Sequence, residues 1–249
     1  MQAVALLGAG VLAGLVSTVI SLASIVSYPA LLAVGLPPLA ANVTNTVALV
    51  GVGLGAAGGS RPELAGQGRL VARLGVLTVL GGATGAALLL LLPARSFEYA
   101  APWLIGGACL VLLRPRRPGT LPVGQTDGPR HPAAGRIALL AASAYIGYFG
   151  AAGGILMLAT LTTLVDQPLA RTNAIKNMVS GLANAVAAVG FALFGPVRWA
   201  AAAPLAAGFV VGGWIGPALV RRLPAGPLRL LVAGCGLLVA VKLGLDTYG

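Results

Sequence analysis

The sequence predicts an all-α polytopic membrane protein built from two homologous repeats. Three observations carry that expectation. The first is composition: of 249 residues, 8% are charged and 58% hydrophobic, and the mean hydropathy is +0.95. A soluble domain carries about 25% charged residues, and no soluble fold of this length could cover so much apolar surface. The second is a series of ten apolar runs, at 3–22, 25–36, 39–58, 74–92, 99–113, 137–149, 154–165, 174–195, 199–220 and 230–247. The third is internal repetition across a polar middle segment.

A helix needs about 20 apolar residues to cross a bilayer. Most of the runs qualify, but 25–36, 137–149 and 154–165 are too short alone. They adjoin breaks of small residues, Ser21-Leu22-Ala23-Ser24 in the first half and Ala151-Ala152-Gly153-Gly154 in the second. Each half therefore reads as a discontinuous helix or re-entrant hairpin followed by three transmembrane helices. Between them, residues 114–136 hold five Pro and four Gly, the composition of a solvated linker. The expected division is 1–113, first repeat; 114–136, linker; 137–249, second repeat.

Four landmarks recur in the same order. "GGATGAALLLLLPA" (81–94) returns as "GGWIGPALVRRLPA" (212–225), with eight of fourteen positions identical. "GGACLVLL" (106–113) faces "VAGCGLLV" (232–239), and the two breaks face each other. "PPLAANVTN" (37–45) resembles "QPLARTN" (167–173) once a two-residue gap is allowed.

Arg221 and Arg222 stand where the first copy has Leu90 and Leu91. Eight full crossings put about ten Lys/Arg on the favoured side and six on the other; hairpins with three crossings per half make it about twelve to three. The charge count favours inverted repeats, an external N-terminus and a cytoplasmic linker in the cell membrane. The length of run 3–22, enough to span outright, keeps the alternative open.

The net charge of +11 does not imply nucleic acid, because the arginines occupy short breaks between apolar runs rather than a basic stripe. The uncharged start does not resemble a signal peptide. Cys109 and Cys235 lie inside apolar runs and suggest packing, not a disulfide or metal. No motif calls for a cofactor, and no Ser/His/Asp set suggests an enzyme. The expected partners are a lipid bilayer and a small anion; a homo-oligomer stays open.

The anion is expected from what lies in and near the breaks. A helix N-terminus offers free N–H groups and partial positive charge, and Ser24 and Gly153-Gly154 stand at such starts; close packing is the plainer role for the glycines. Thr44, Asn45, Thr172, Asn173 and Asn177 cluster near the starts of the next long helices, with N-capping the plainer role for the threonines. Lys176 sits in an apolar helix, a functional position unless it snorkels to the interface. All five acids, Glu63, Glu98, Asp127, Asp166 and Asp246, lie in loops or at segment ends. An interior that is neutral or positive favours an anion as cargo.

The segments "YPALLAVGLPPLAANVTNTVAL" (28–49) and "GAAGGILMLATLTTLVDQPLARTNAIKN" (150–177) resemble the sulfite exporter TauE/SafE family. The resemblance implies two repeats, a secondary transporter working by alternating access, and export of sulfite or an organosulfonate such as sulfoacetate. It marks Gly153, Gly154, Thr172 and Asn173, with Thr44 and Asn45 in the first half. Ser21-Leu22-Ala23-Ser24 departs from the family's glycine run. An anion channel and a non-transporting membrane assembly component are the competing readings.

Overall fold

The structure, a computed structural model, describes residues 1–113, 132–150 and 153–220, with scattered residues between 234 and 245. The Arg221-Arg222 pair, Cys235, Ala151, Ala152 and most of the 114–136 segment lie outside the described residues. Among the described residues there are helices and no strands: α1 (Gln2–Ile20), α2 (Ser24–Ala33), α3 (Pro38–Gly59), α4 (Arg61–Leu64), α5 (Gly68–Leu91), α6 (Ala94–Leu113), α7 (Pro132–Tyr148), α8 (Gly153–Leu164), α9 (Leu169–Phe194) and α10 (Trp199–Val220). Helices satisfy every backbone group internally, which hydrocarbon demands. Four of them, α3, α5, α9 and α10, are long and apolar enough to cross a membrane.

Several helices begin one turn or more before their apolar runs. α5 starts at Gly68 rather than 74, α9 at Leu169 rather than 174, and α7 at Pro132, within the segment expected to be linker. The apolar run marks only the stretch suited to hydrocarbon. The backbone continues its hydrogen bonding outward, and Arg69, Arg73, Arg136 and Arg171, all exposed, lie in these outer turns.

Small residues set the packing. Lipid gives helices no hydrophobic reason to associate, so close backbone approach and dispersion do the work. Gly10 of α1 faces Leu205 and Gly208 of α10, and Gly14 faces Gly212 and Gly213. Both numbers rise together, so α1 and α10 are parallel. Gly51, Gly55 and Gly59 of α3 meet α10 at Ala206, Val210 and Trp214 in turn, again parallel. It follows that α1 and α3 point the same way, and α2 must run back between them.

The second half has the same plan. Gly81 and Gly85 of α5 meet α7 at Leu140 and Ala144, while Gly75 and Leu90 of α5 meet α9 at Leu182 and Gly190. α5, α7 and α9 are therefore parallel, and α8 runs back. α3 and α9 cross antiparallel: Gly53 lies against Gly181, and Val43 against Gly195. The halves are interleaved, since α1 packs on α10 and α7 on α5.

This packing corrects one detail of the repeat. Gly82 and Gly213, matched in the repeated segments, abut Ala183 and Val52 respectively. Val52 and Ala183 are thus equivalent, 131 positions apart, as are the capping residues Pro37 and Pro168. A gap that pairs Thr44-Asn45 with Thr172-Asn173 has no place inside continuous helices. Asn42 corresponds to Asn173, and Asn45 to Lys176.

Candidate functional site

Two helix breaks meet at the centre of the molecule. α1 ends at Ser21, whose backbone is left-handed with φ 63° and whose N–H bonds Ser17 O. α7 ends likewise at Gly150, with φ 76° and an N–H bond to Tyr145 O at 3.1 Å. A side chain in this conformation crowds the next carbonyl and costs about 1–2 kcal/mol. Serine carries that strain at position 21, and its hydroxyl has a use there: Ser21 Oγ accepts a hydrogen bond from Lys176 Nζ at 2.7 Å. Gly154, in the first turn of α8, touches the same residue; a Cβ on Gly154 would fall 2.6 Å from Ser21 O.

Beside the breaks lies a cavity of about 50 Å³, walled by Ser21, Ser24, Lys176, Asn177, Ser180 and Asn184, with Gly154 at its edge. Ser24 opens α2 and Gly154 lies in the first turn of α8, so two helix N-termini border it with partial positive charge. Lys176 is only 2% exposed and, among the described residues, has Ser21 as its one hydrogen-bond partner and no ion pair. Burying an unpaired ion costs several kcal/mol even after relaxation. An anion in the cavity would offset that cost, as would loss of the proton.

The other expected residues take different places. Asn45 faces a smaller cavity of about 10 Å³ with Ser24, Tyr28 and Phe149. Its Nδ2 donates to Ser24 Oγ at 3.2 Å, and it accepts from Ser27 Oγ at 2.6 Å, so it steadies the first turn of α2. Gly153 is buried against Ile146 just outside the main cavity. Asn173 is outside too, its Nδ2 donating to Thr18 O at 3.4 Å. Its equivalent, Asn42, donates to Tyr148 O at 3.0 Å. Each half thus supplies an amide that holds the last turn of the other half's broken helix.

Neither Thr44 nor Thr172 lines the cavity. Thr44 Oγ1 accepts from the Arg198 N–H at 3.0 Å, being turned about 100° from Asn45 on the helix. Thr172 lies one turn short of Lys176, and its hydroxyl donates to Gln167 O at 3.1 Å. N-capping is also corrected: the caps of α3 and α9 are Pro37 and Pro168, without side-chain bonds. Sequence reasoning missed Ser21 as a lysine partner, Asn42, Ser180 and Asn184. The signal for the last two was there, since 176, 180 and 184 recur at the i, i+4, i+8 spacing of one helix face.

Long apolar helices, two breaks that meet inside the protein, and a cavity lined among the described residues by one lysine and no acid have the build of a membrane transporter. The comparison with known families agrees. The chain matches the family described as Sulfite exporter TauE/SafE over residues 6–243, and it belongs to that family of membrane transporters. No curated protein and no solved structure matches it.

Proposed function

We propose that this integral membrane protein is a secondary transporter that exports a small sulfur-containing anion, sulfite or an organosulfonate such as sulfoacetate, from the cytoplasm. Family membership supports the substrate class. The observation that carries the site is Lys176, buried without an acidic partner at the wall of a cavity between the two breaks. Lys176, Asn177, Ser24 and the N-terminus at Gly154 replace the anion's water. Asn45 orients Ser24. Gly153, Thr44, Thr172 and Asn173 act at one remove, by packing or tethering the elements around the cavity.

Alternating access follows from the same parts. The repeats, 1–113 and 137–249, are inverted with hairpins at their starts, and the linker 114–136 is cytoplasmic. The antiparallel crossing of α3 and α9 supports inversion, and the parallel course of α1 and α3 supports a hairpin that enters and leaves on one face. The anion site opens to either side as one half moves against the other.

Purified protein in liposomes tests the reading. Saturable sulfite flux with counterflow is expected. Flux without saturation or counterflow would indicate a channel, and no flux from folded protein would remove the anion cargo. For the topology, single cysteine reporters at positions 119 and 224 should both label from the cytoplasmic side.

A further inference from the structure

The cavity wall on α9 continues past Lys176. Three polar atoms along it have no partner among the described residues: Asn177 Nδ2, Ser180 Oγ and Asn184 Oδ1. Asn177 and Asn184 are 6% and 8% exposed, and all three residues line the cavity. Leaving one buried polar atom unpaired costs about 1–3 kcal/mol. Three on one stripe of one helix, facing one cavity, point to a polar occupant, ligand or water, that completes them. The corresponding α3 positions do not share the pattern: Ser180 and Asn184 answer to Leu49 and Gly53, which also line the cavity.

Charge and hydrogen bonding together narrow the ligand. Among the described residues, Lys176 is the one charged side chain on the wall. One ammonium balances one negative charge in full, whereas a second charge would rest only on the partial charges of the two helix N-termini, so a singly charged anion is the better match. Donors are plentiful, from Lys176, Asn177 Nδ2 and the serine hydroxyls, and they suit anionic oxygens. Asn184 Oδ1 is different: it is an acceptor, and among anions one with a hydrogen to give can satisfy it directly, whereas an anion without one leaves it to water or to Ser180.

We propose that the cavity selects singly charged oxyanions that still carry a proton, hydrogen sulfite among the sulfur anions, over divalent ones, with Ser180 and Asn184 reading the protonated end. This rests on the transport reading above and narrows its cargo to hydrogen sulfite, setting aside doubly charged organosulfonates such as sulfoacetate. Lys176 and Asn177 hold the charged oxygens, and the ligand O–H donates to Asn184 Oδ1. Ser180 lies between them and hydrogen-bonds whichever oxygen reaches it.

Competition at fixed neutral pH tests it. Hydrogen carbonate (one charge, one O–H), nitrate (one charge, no donor) and sulfate (two charges) would compete with labelled sulfite in proteoliposomes. Hydrogen carbonate should outcompete nitrate about tenfold, the worth of one well-placed buried hydrogen bond, and sulfate should be weakest. Asn184→Leu should bring hydrogen carbonate and nitrate level while sulfate stays excluded; Ser180→Ala should narrow the gap a few-fold. Asn184→Ala serves the same purpose should the leucine variant not fold. Because each ratio is read within one variant, the amount of folded protein does not enter. Sulfate competing as well as hydrogen carbonate, or an Asn184 substitution that leaves the ratio unchanged, overturns the proposal. Thermal stabilisation of the detergent-purified protein by the same anions gives these ratios without flux. Absent flux with the ratios intact would remove the transport reading alone.

Discussion

α3 and α9 are equivalent helices that cross at Gly53 and Gly181, yet they do different things at the cavity. Their outer turns match in function as well as position: Asn42 and Asn173 each hold the end of the opposite broken helix. One turn further in, the match ends. Asn45 is saturated by Ser24 and Ser27 of its own half, whereas Lys176 reaches across to Ser21 of the other. Beyond that, Leu49 and Gly53 oppose Ser180 and Asn184. The symmetric positions build the frame, and the asymmetric ones supply the chemistry. Lys176, Asn177, Ser180 and Asn184 thus come to the cavity together on α9, while Ser24 and Gly154 come from α2 and α8.

The largest expected effect breaks this asymmetry. Lys176→Met should lower sulfite flux by roughly ten- to a hundredfold, the range for losing a hydrogen bond to a charged group. Asn45→Leu, which disturbs only bonds within the first half, should cost a few-fold. The reverse ranking in a liposome assay would place the chemistry on α3 instead.

An intermediate effect checks the frame. Asn42→Leu and Asn173→Leu should each destabilise the protein by about 1–3 kcal/mol through an orphaned carbonyl, seen as similar drops in Tm in detergent. A drop confined to one variant would break the equivalence of the two caps.

The smallest effect separates strain from contact. Ser21→Gly relieves the left-handed strain but removes the lysine's partner, so stability should change by no more than about 1 kcal/mol while flux falls. At Gly150 no such exchange exists, and Gly150→Ala should cost about 1–2 kcal/mol of strain, with Tm as the readout.

Much of this was legible in the sequence. The apolar runs located the helices because hydrocarbon demands unbroken apolar stretches, and charged turns at their ends hid only the first residues of α5, α7 and α9. The breaks were visible because Ser21–Ser24 and Gly153-Gly154 interrupt such stretches. Lys176 and Asn177 stood out because an ammonium and an amide are expensive in an apolar helix. Ser180 and Asn184 did not, since isolated small polar residues are common there, and only the four-residue spacing from Lys176 ties them together. Asn42 was hidden by alignment: a Thr-Asn pair recurs by chance more easily than a helix start does, and three residues of offset exchanged the partners of Asn42 and Asn45.

The interleaving of the halves also governs how the molecule can be made. α1 is made well before α10, yet its glycine-lined face at Gly10 and Gly14 belongs against α10. Roughly 190 residues separate the two, which at typical ribosome speeds is about ten to forty seconds. Through that interval α1 must sit in the bilayer with its contact face toward lipid. Neither half can then mature as a separate unit, and a late-made helix completes an early one. A ribosome that stops before α10 leaves an unfinished seam for membrane quality control to recognise.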